Sequence, residues 1–519
     1  MGYGPAMSVA YDGRFTFVDL FAGIGGFHAA LSKLGGQCVY AAEKDPAAAK
    51  VYQKAWKLDD HDGFAFTEDI NDDVEPIDDL TTIDELARMA ANGGGTISDK
   101  IPRDFDVLAA GFPCQAFSKS GHQRGILDET RGTLFYNILR IVAERKPKIV
   151  FLENVRNLVG PRHRHTTFTT IITALEGLGY IVSPEPTIIS PHRIPPEMGG
   201  GPQIRDRVYI LAIRADVTSE QLPFPKFEYP PAWNPKTGWS ITESLLHDDA
   251  PAAITDRWLA NLPDQGRASE LRGLRGADKQ HSIAGADWWV AWESLLNEVV
   301  TRRHLWSGSG TAPFPGFPIW FRAADEAWEA QERADADARN LPWKHEFLDK
   351  SLRFLADYSE EINASGVLQR ILDMPHNSWR KLEWQAGDAI SLDECLIQLR
   401  PSGVRIKKAN YTPALVAINQ TPILGEERRR LTPYEAGRLQ GFPDNVYKAM
   451  LETDQKPAER YKQFGNAVHV GAVTYGLTQF INHHFKGQAP SDPSLRVLWD
   501  RARTSPAWKS VEEADHLDF

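Results

Sequence analysis

A cysteine occurs where a nucleophile could be presented to a ligand. The apolar run at 105–110 predicts a strand, which leads into Gly111-Phe112-Pro113-Cys114-Gln115 and then a polar loop with several glycines. In open α/β sheets, ligands bind beyond the carboxyl ends of the strands. Most free cysteines are instead buried and inert, but Pro113 and the polar loop favour exposure. Cys114 is therefore a candidate nucleophile.

Charged side chains occupy comparable positions on two further predicted strands. Glu153 directly follows the run at 149–152. Arg205 and Arg207 open another predicted strand, and their spacing places both on one face of it. At one edge of a sheet these groups would meet Cys114, where an acid and guanidinium groups could polarise a substrate. The alternatives are a strand-end ion pair for Glu153 and solvated cations for the arginines.

The turn after the first predicted strand suits a nucleoside. Its sequence, Phe21-Ala22-Gly23-Ile24-Gly25-Gly26, lets a ligand approach the backbone. A dinucleotide-binding motif would need a glycine where this chain has His28, which disfavours NAD as the ligand. Glu43 ends the next strand and could accept hydrogen bonds from both ribose hydroxyls. Asp69 could accept one from an adenine amino group. A plain tight turn and solvated surface acids are the alternatives.

The elements that must position these residues alternate along 15–214. Short β-rich runs separated by helical patterns predict βαβ units and a parallel sheet, with strands at 15–21, 37–42, 105–110, 149–152, 180–183 and 208–213. From about Ala215 the composition changes, and we interpret the aromatic clusters at 288–292 and 314–320 as the core of a second domain rather than as base-stacking platforms. The chain from Gln488 is expected to form a loosely attached tail.

Length, charge and cysteine content limit the functional class. The 519 residues, 42% hydrophobic and 24% charged, are typical of a globular protein of about two to four domains. The three cysteines form no CxxC pair, so neither a disulfide framework nor a metal site is expected. The net charge is −11, but 59–79 contains ten acids and no Lys or Arg, so the charge does not exclude DNA. With no apolar run of about 18 residues and no signal segment, we expect a cytoplasmic protein without membrane attachment.

Taken in order, the motifs resemble those of the DNA (cytosine-5) methyltransferases of bacterial restriction–modification systems. The matching blocks cover about 15–214 and 429–484, and they are Asp19-Leu20-Phe21-Ala22-Gly23-Ile24-Gly25-Gly26, Gly111-Phe112-Pro113-Cys114-Gln115, Glu153-Asn154-Val155, Gln203-x-Arg205-x-Arg207, Arg430-Leu431-Thr432-Pro433-Tyr434-Glu435-Ala436-Gly437-Arg438-Leu439-Gln440-Gly441-Phe442-Pro443 and Gln463-Phe464-Gly465-Asn466-Ala467-Val468.

This resemblance implies an α/β, Rossmann-like S-adenosylmethionine-dependent methyltransferase fold with a mixed, mostly parallel sheet and a smaller target-recognition domain. It implies a cofactor-binding and catalytic domain at 1–214 and a target-recognition domain at 215–428. C-terminal blocks at 429–487 would return to complete the catalytic domain, and the tail would occupy 488–519.

The same resemblance implies that S-adenosyl-L-methionine is the cofactor. A sulfonium cofactor needs no phosphate cradle, which agrees with the missing third glycine. The expected binding residues come from several blocks and comprise Phe21, Gly23, Gly25, Glu43 at the ribose, Asp69 and Ile70 at the adenine, Pro113, Asn466 and Val468.

In this family a cysteine thiolate adds to C6 of cytosine, so that C5 becomes nucleophilic. The resemblance gives this role to Cys114, places Glu153 at N3 and Arg207 at O2 of the base, and makes Arg205 a support of the site. Because C5 and C6 are stacked inside a duplex, the target base must be flipped out.

Two stretches are expected to contact duplex DNA. Ser120 and Gln123, in the loop after Cys114, would lie near the phosphates or the space that the base vacates. The basic segment at 403–412 is predicted to be an edge strand or loop facing phosphates and groove, with a solvated face as the alternative. Its candidate contacts are Arg405, Lys407, Lys408 and Thr412.

Two other functions stay open. A tRNA cytosine-5 methyltransferase would share the catalytic blocks, but the long 215–428 region favours the reading of a duplex. A catalytically silent DNA-binding regulator would be expected to lack Cys114 or Glu153, and both are present. We expect a monomer that acts on double-stranded DNA, and a cognate restriction endonuclease acting on the same site is a further partner that the resemblance implies.

Overall fold

The chain forms two compact units. The computed structural model describes residues 13–57, 64–75, 97–113, 132–225, 227, 229–241, 287–302, 311–415 and 421–508. The first unit consists of the described residues up to Gly238 and from Gly437 onward, and the second lies within Trp239–Ala436. In these described ranges, no helix is long and apolar enough to cross a membrane.

The first unit contains an eight-stranded mixed sheet. The strands of this unit are β1 (Phe15–Leu20), β2 (Gly36–Ala42), β3 (Ala65–Thr67), β4 (Val107–Ala110), β5 (Ile149–Val155), β6 (Tyr180–Val182), β7 (Thr187–Ile189), β8 (Gln203–Ile204) and β9 (Arg207–Arg214). The sheet has the order β3-β2-β1-β4-β5-β9-β6, with β7 also paired to β9. The strands from β3 to β5 are parallel, and β9 is antiparallel to β5, β6 and β7. The predicted α/β fold with a mixed, mostly parallel sheet is confirmed.

The central strands are buried on both faces. Every residue of β4 is buried, and in β1 Thr16 alone is partly exposed, as is typical of parallel strands that are covered on both sides. All the strands predicted from β-rich runs are present within a few residues of their expected limits. The sequence did not reveal β3 and β7, because runs of three residues carry little periodicity.

Helices connect the strands and extend the C-terminal part of the chain. In chain order they are α1 (Gly26–Lys33), α2 (Pro46–Trp56), α3 (Gly132–Arg145), α4 (Thr169–Gly177), α5 (Pro235–Gly238), α6 (Asp287–Thr301), α7 (Glu326–Ala338), α8 (Pro342–Asp357), α9 (Ser359–Asn363), α10 (Val367–Leu372), α11 (Pro433–Leu439), α12 (Asp444–Glu452), α13 (Pro457–Asn466), α14 (Val470–His484) and α15 (Pro493–Arg503). Helices α6 to α10 belong to the second unit.

The segment expected to be a loose tail is packed onto the first unit over its described part. Leu495 and Leu498 of α15 are fully buried. Ser494 donates a hydrogen bond to the buried Asp106, which also forms an ion pair of 2.8 Å with Lys148. The prediction of a loose attachment was wrong for 488–508, because the apolar side chains of α15 recur at helical spacing and form a buried face.

The second unit contains a six-stranded sheet. Its strands are β10 (Ile319–Trp320), β11 (Lys381–Gln385), β12 (Cys395–Arg400), β13 (Gly403–Lys408), β15 (Ile423–Leu424) and β16 (Arg429–Arg430), and the short β14 (Thr412–Pro413) lies outside this sheet. The order is β10-β11-β13-β12-β15-β16. Trp289, Trp292 and Phe314 are almost completely buried in its core. This confirms the interpretation of the aromatic clusters as core.

The basic segment expected at an edge lies in the middle of this sheet. Strand β13 pairs with β11 on one side and with β12 on the other. Val404 and Ile406 point into the core. The prediction of an edge strand or loop was wrong, because alternation identifies a buried face but not whether a strand has neighbours on both sides.

Candidate active site

The turn after β1 is fastened to the end of β2 by a carboxylate. Glu43 Oε2 accepts a hydrogen bond of 2.8 Å from the Gly23 amide, and its Oε1 accepts one of 2.7 Å from the Asp45 amide. Burial raises the pKa of Glu43, and the two amide hydrogen bonds oppose this effect. Because each carboxylate oxygen has a second lone pair, Glu43 can still accept hydrogen bonds from a ligand.

Two glycines of this turn have different functions, although both have positive φ. A Cβ at Gly23 would have no atom within 4 Å, so this position faces open space. A Cβ at Gly25 would lie 2.1 Å from Nε1 of Trp56. Gly23 therefore leaves room for a ligand, whereas Gly25 permits close packing between the turn and α2.

A cavity of about 400 Å³ opens beside this turn. Its volume is in the usual range for small-molecule and cofactor sites. Gly25 does not line it, but the structure brings together here the other predicted cofactor-binding residues and three predicted catalytic ones: Phe21, Gly23, Glu43, Asp69, Ile70, Pro113, Asn466, Val468, Glu153, Arg205 and Arg207.

Two lysines that the sequence analysis did not single out also line the cavity. Lys44 forms an ion pair of 2.6 Å with Asp69, and Lys462 forms one of 2.9 Å with Asp45 at the start of α2. Burial acts to raise the pKa of Asp69, but hydrogen bonds from Lys44 and Asn71 outweigh it and lower the pKa. The position of Lys44 next to Glu43 was the available signal, whereas nothing local to Lys462 indicated its partner.

Glu153 and Arg207 form an ion pair in the lining of the cavity. Oε1 of Glu153 lies 3.0 Å from Nε of Arg207, and the two residues come from the adjacent strands β5 and β9. Burial raises the pKa of Glu153, while Arg207 and Arg205 act in the opposite direction. The site thus contains a buried acid whose proton affinity is above the ordinary value.

The loop that precedes Cys114 is attached to β5 by Asn154. Its Nδ2 donates a hydrogen bond of 3.3 Å to the carbonyl oxygen of Phe112. Asn154 is buried beside Glu153. It is a positioning residue that the sequence signalled only by its place in the Glu153-Asn154-Val155 block.

Arg205 lines the cavity, but its guanidinium group is turned toward the C-terminal part of the chain. Its Nη2 donates hydrogen bonds to the carbonyl oxygens of Gly465 (3.1 Å) and Ala467 (2.7 Å). The side chain is almost fully buried. The structure therefore makes Arg205 a positioning residue, which holds the segment carrying Asn466 and Val468 from a position just before β9.

Known proteins with similar sequences identify the enzyme class. The sequence model of the family described as C-5 cytosine-specific DNA methylase matches residues 15–272 and 316–482. The chain is 36% identical over 526 residues to the type II methyltransferase M.AluI of Cellulosimicrobium cellulans, covering 91% of this chain and 92% of that protein. The chain belongs to the C-5 cytosine-specific DNA methylase family.

Two further relatives match this methylase over a smaller part of its length. M.HpaII of Haemophilus parainfluenzae is 37% identical over 213 residues, which cover 41% of this chain and 50% of the relative. M.HhaI of Haemophilus parahaemolyticus is 36% identical over 210 residues, which cover 40% and 52% respectively. Both are named as type II methyltransferases, and the long alignment with M.AluI extends through the second unit as well.

Some candidate residues of the methylase lie outside the described residues. These are Cys114, Ser120 and Gln123. The other two cysteines, Cys38 and Cys395, are buried. Over the described ranges, no group of three or more His, Cys, Asp or Glu side chains could hold a metal ion.

The basic residues predicted to contact DNA lie on two faces of β13. Arg405 donates hydrogen bonds to Glu383, and Lys407 donates one to the backbone oxygen of Tyr411. Lys408 points the other way, toward Asp388. Thr412 is buried. Their predicted contacts with DNA stay predictions.

Proposed function

We propose that the protein transfers a methyl group from S-adenosyl-L-methionine to C5 of a cytosine that is flipped out of a specific double-stranded DNA sequence. The observation that carries this proposal is a single cavity whose lining includes both the turn with Glu43 and the pair Glu153 and Arg207. A nucleoside-type cofactor and a cytosine ring could therefore occupy adjoining parts of one site.

The cavity residues suit this cofactor. Gly23 leaves open space beside the carboxylate of Glu43, while Phe21 and Ile70 supply apolar surface. Glu43 would hold the ribose hydroxyls and Asp69 the adenine, and Asn466 and Val468 would close the pocket. When bound, the cofactor supplies an electrophilic methyl group on a cationic sulfonium.

At the base, the thiolate of Cys114 would form a bond to C6 while N3 takes the proton held by Glu153. The electron pair of the C5–C6 double bond is thereby made available at C5. Arg207 would hold O2 and stabilise the charge that develops on the ring. C5 would then take the methyl group, with S-adenosylhomocysteine as the leaving group. Removal of the C5 proton by a base and cleavage of the sulfur–C6 bond would regenerate the thiolate, and N3 would return its proton to Glu153.

We assign target recognition to 215–428, most of which lies within the second unit. The catalytic chemistry is accounted for by residues outside this region, whereas a specific duplex needs an additional surface that contacts base edges. Exchanging this region for that of a relative with another target should change the methylated sequence accordingly. An active chimera that keeps the original target would contradict the assignment.

The names of the relatives also support a place in a type II restriction–modification system. We infer that methylation protects host DNA from an endonuclease with the same target, and that the enzyme acts in the cytoplasm as a monomer. Expression of an endonuclease that cuts the sequence that this enzyme methylates should be tolerated only in cells that contain the active methyltransferase.

The function is tested directly by transfer of a tritiated methyl group from S-adenosylmethionine to duplex DNA and to tRNA. Bisulfite sequencing of DNA from expressing cells then identifies the modified base and its sequence context. We expect 5-methylcytosine at one defined duplex sequence and no transfer to tRNA. Transfer to tRNA alone would establish the rival function, and no transfer to either would refute catalysis.

A further inference from the structure

One face of the sheet in the second unit is rich in basic residues. What we call the cationic face consists of Lys381 and Glu383 on β11, Arg405 and Lys407 on β13, and Arg400 on β12. Cross-strand pairing places Glu383 next to Arg405, and alternation along β13 places Arg405 and Lys407 on the same side. The opposite side of these strands carries the buried core residues Leu382, Trp384, Ile397, Val404 and Ile406.

A single carboxylate on this face is shared by several cations. Glu383 Oε2 accepts hydrogen bonds from Arg400 Nη2 (2.6 Å) and from Arg405 Nη2 (3.1 Å) and Nε (3.2 Å). Lys381 Nζ lies 3.8 Å from its Oε1. The side chains are half-buried, with 27% exposure for Arg405 and 18% for Arg400 and Lys381. One negative charge therefore faces three positive charges at close range.

Lys407 extends this excess of positive charge. Its ammonium group lies 3.8 Å from the ring centroid of Tyr411 and is hydrogen-bonded to a backbone oxygen rather than to an acid. Burial, followed by repulsion from Arg405, lowers the pKa of Lys407 to about 8. Burial also lowers the pKa of Lys381 and of Arg400; neighbouring guanidinium groups add to this effect, and Glu383 opposes it. These cations would each gain from an additional anion.

Other cations of the second unit are matched by acids. Arg333 contacts both Glu329 and Asp349, and Lys408, on the opposite side of β13, forms an ion pair of 2.6 Å with Asp388. Each of these two cations thus has its own acid, whereas Lys381, Arg400 and Arg405 share Glu383. The ammonium group of Lys381 lies 4.8 Å from the ring centroid of Trp320, and Gln385 of β11 is exposed. Both side chains are of types that commonly contact nucleic acids.

We propose that the cationic face binds the phosphodiester backbone of duplex DNA, with Arg400 and Arg405 as the principal contacts, Lys381 and Lys407 beside them, and Glu383 orienting the two guanidinium groups. This inference rests on the proposed function, because DNA is the polyanion on which such an enzyme acts. Arginine suits this contact because its planar fork can bind two oxygens of one phosphate. The contact is independent of base sequence.

The first test compares Arg400→Gln and Arg405→Gln with the wild type in the binding of a short fluorescent duplex of arbitrary sequence over a series of KCl concentrations. Each lost phosphate contact should reduce the slope of log affinity against log salt by about 0.9. Arg353→Gln, a change of the same charge on the exposed surface of α8, is the matched control and should leave the slope within error of the wild type. The proposal would be overturned if both cationic-face variants had the same slope as the control.

The Glu383→Gln variant should change the affinity for DNA in the opposite direction to the two arginine variants. Removing this carboxylate leaves the cations in place and should increase affinity for the duplex at low salt several-fold. If Glu383 had only a structural function, the variant would bind less tightly and unfold at a lower temperature, and that outcome contradicts the inference. Thermal unfolding of each variant identifies loss of folding, and binding that responds equally to inorganic phosphate would show a simple anion site instead.

Methyl transfer measured at low salt separates this inference from the proposed function. If the wild type methylates DNA and the salt slopes of the variants do not change, only the cationic face is refuted. If no DNA is methylated by the wild type, the proposed function fails whatever the slopes show.

Discussion

Arg205 and Ala467 are 262 positions apart in the chain and are joined by a hydrogen bond of 2.7 Å between a guanidinium nitrogen and a backbone oxygen. Through this contact Arg205, two residues before β9, holds the segment that contributes Asn466 and Val468 to the cavity. The lining of this cavity therefore depends on a buried cation from a distant part of the sequence.

Replacing Arg205 with Met should weaken both folding and cofactor binding. The carbonyl oxygens of Gly465 and Ala467 lose a charged donor, and such hydrogen bonds contribute about 1.5–3 kcal/mol each. Denaturant unfolding should show a decrease of this size, and calorimetry should show weaker binding of S-adenosylmethionine. Arg156→Met is the control, since Arg156 is exposed and paired with Asp206, and it should change the free energy of unfolding by less than about 1 kcal/mol. Unchanged cofactor affinity in Arg205→Met would contradict the positioning role.

The two glycines of the first turn should respond differently to alanine. Both substitutions introduce a Cβ at positive φ, which costs about 1–2 kcal/mol. Gly25→Ala also forces a clash with Trp56 and should lower the free energy of unfolding by roughly a further 1–3 kcal/mol. Gly23→Ala should mainly reduce affinity for the cofactor, because its Cβ occupies open space beside Glu43. Denaturation and calorimetry on both variants check this, and equal losses of stability would show that the distinction is incorrect.

Glu153→Gln should lower kcat by about 10²–10⁴, the usual contribution of a general acid or base. The protonated carboxyl is the active form, so the wild-type rate should fall as the pH rises through the Glu153 pKa, which burial raises above its ordinary value. Cys114 must be deprotonated to react, which makes the rate rise with pH. The wild-type pH profile should therefore be bell-shaped. The variant should lose the descending limb and keep only the rise with pH. Glu185→Gln, an exposed change of the same type paired with Arg164, should preserve the bell shape.

Cys114→Ala should abolish methyl transfer and leave cofactor binding intact. Duplexes containing 5-fluorocytosine should trap a covalent adduct with the wild type, because fluorine cannot leave from C5 as a proton does. The adduct is detected on denaturing gels, and Cys395→Ala is the control, because Cys395 is buried in the core of the second unit. Turnover by Cys114→Ala, or an absence of adduct with the wild type, would argue against covalent catalysis.

Leu498→Ala should destabilise the first unit by about 2–5 kcal/mol, the range for large-to-small changes at fully buried sites. The physical reason is the cavity left between α15 and the rest of the unit. Denaturant unfolding measures the loss, and Arg496→Ala on the exposed side of the same helix provides the comparison. Equal stabilities of the two variants would restore the original expectation of a loosely attached segment.

The sequence was sufficient to predict the α/β class, most strands of the first sheet and the aromatic core of the second unit. These features depend on local properties: runs of apolar residues, their periodicity and the residues that interrupt them. It did not show that α15 is packed or that β13 is central, because both depend on which elements become neighbours.

The residue types that could perform the chemistry were determined by the sequence itself, as Glu43, Glu153, Arg205 and Arg207 show. Which protein groups each of them contacts was decided by tertiary structure. Arg205 and Arg207 are only two positions apart in the chain, yet the first reaches the C-terminal segment and the second reaches Glu153. Likewise, the shared use of Glu383 by Arg400 and Arg405 depends on strand register, which is set by packing across the sheet and not by any local pattern.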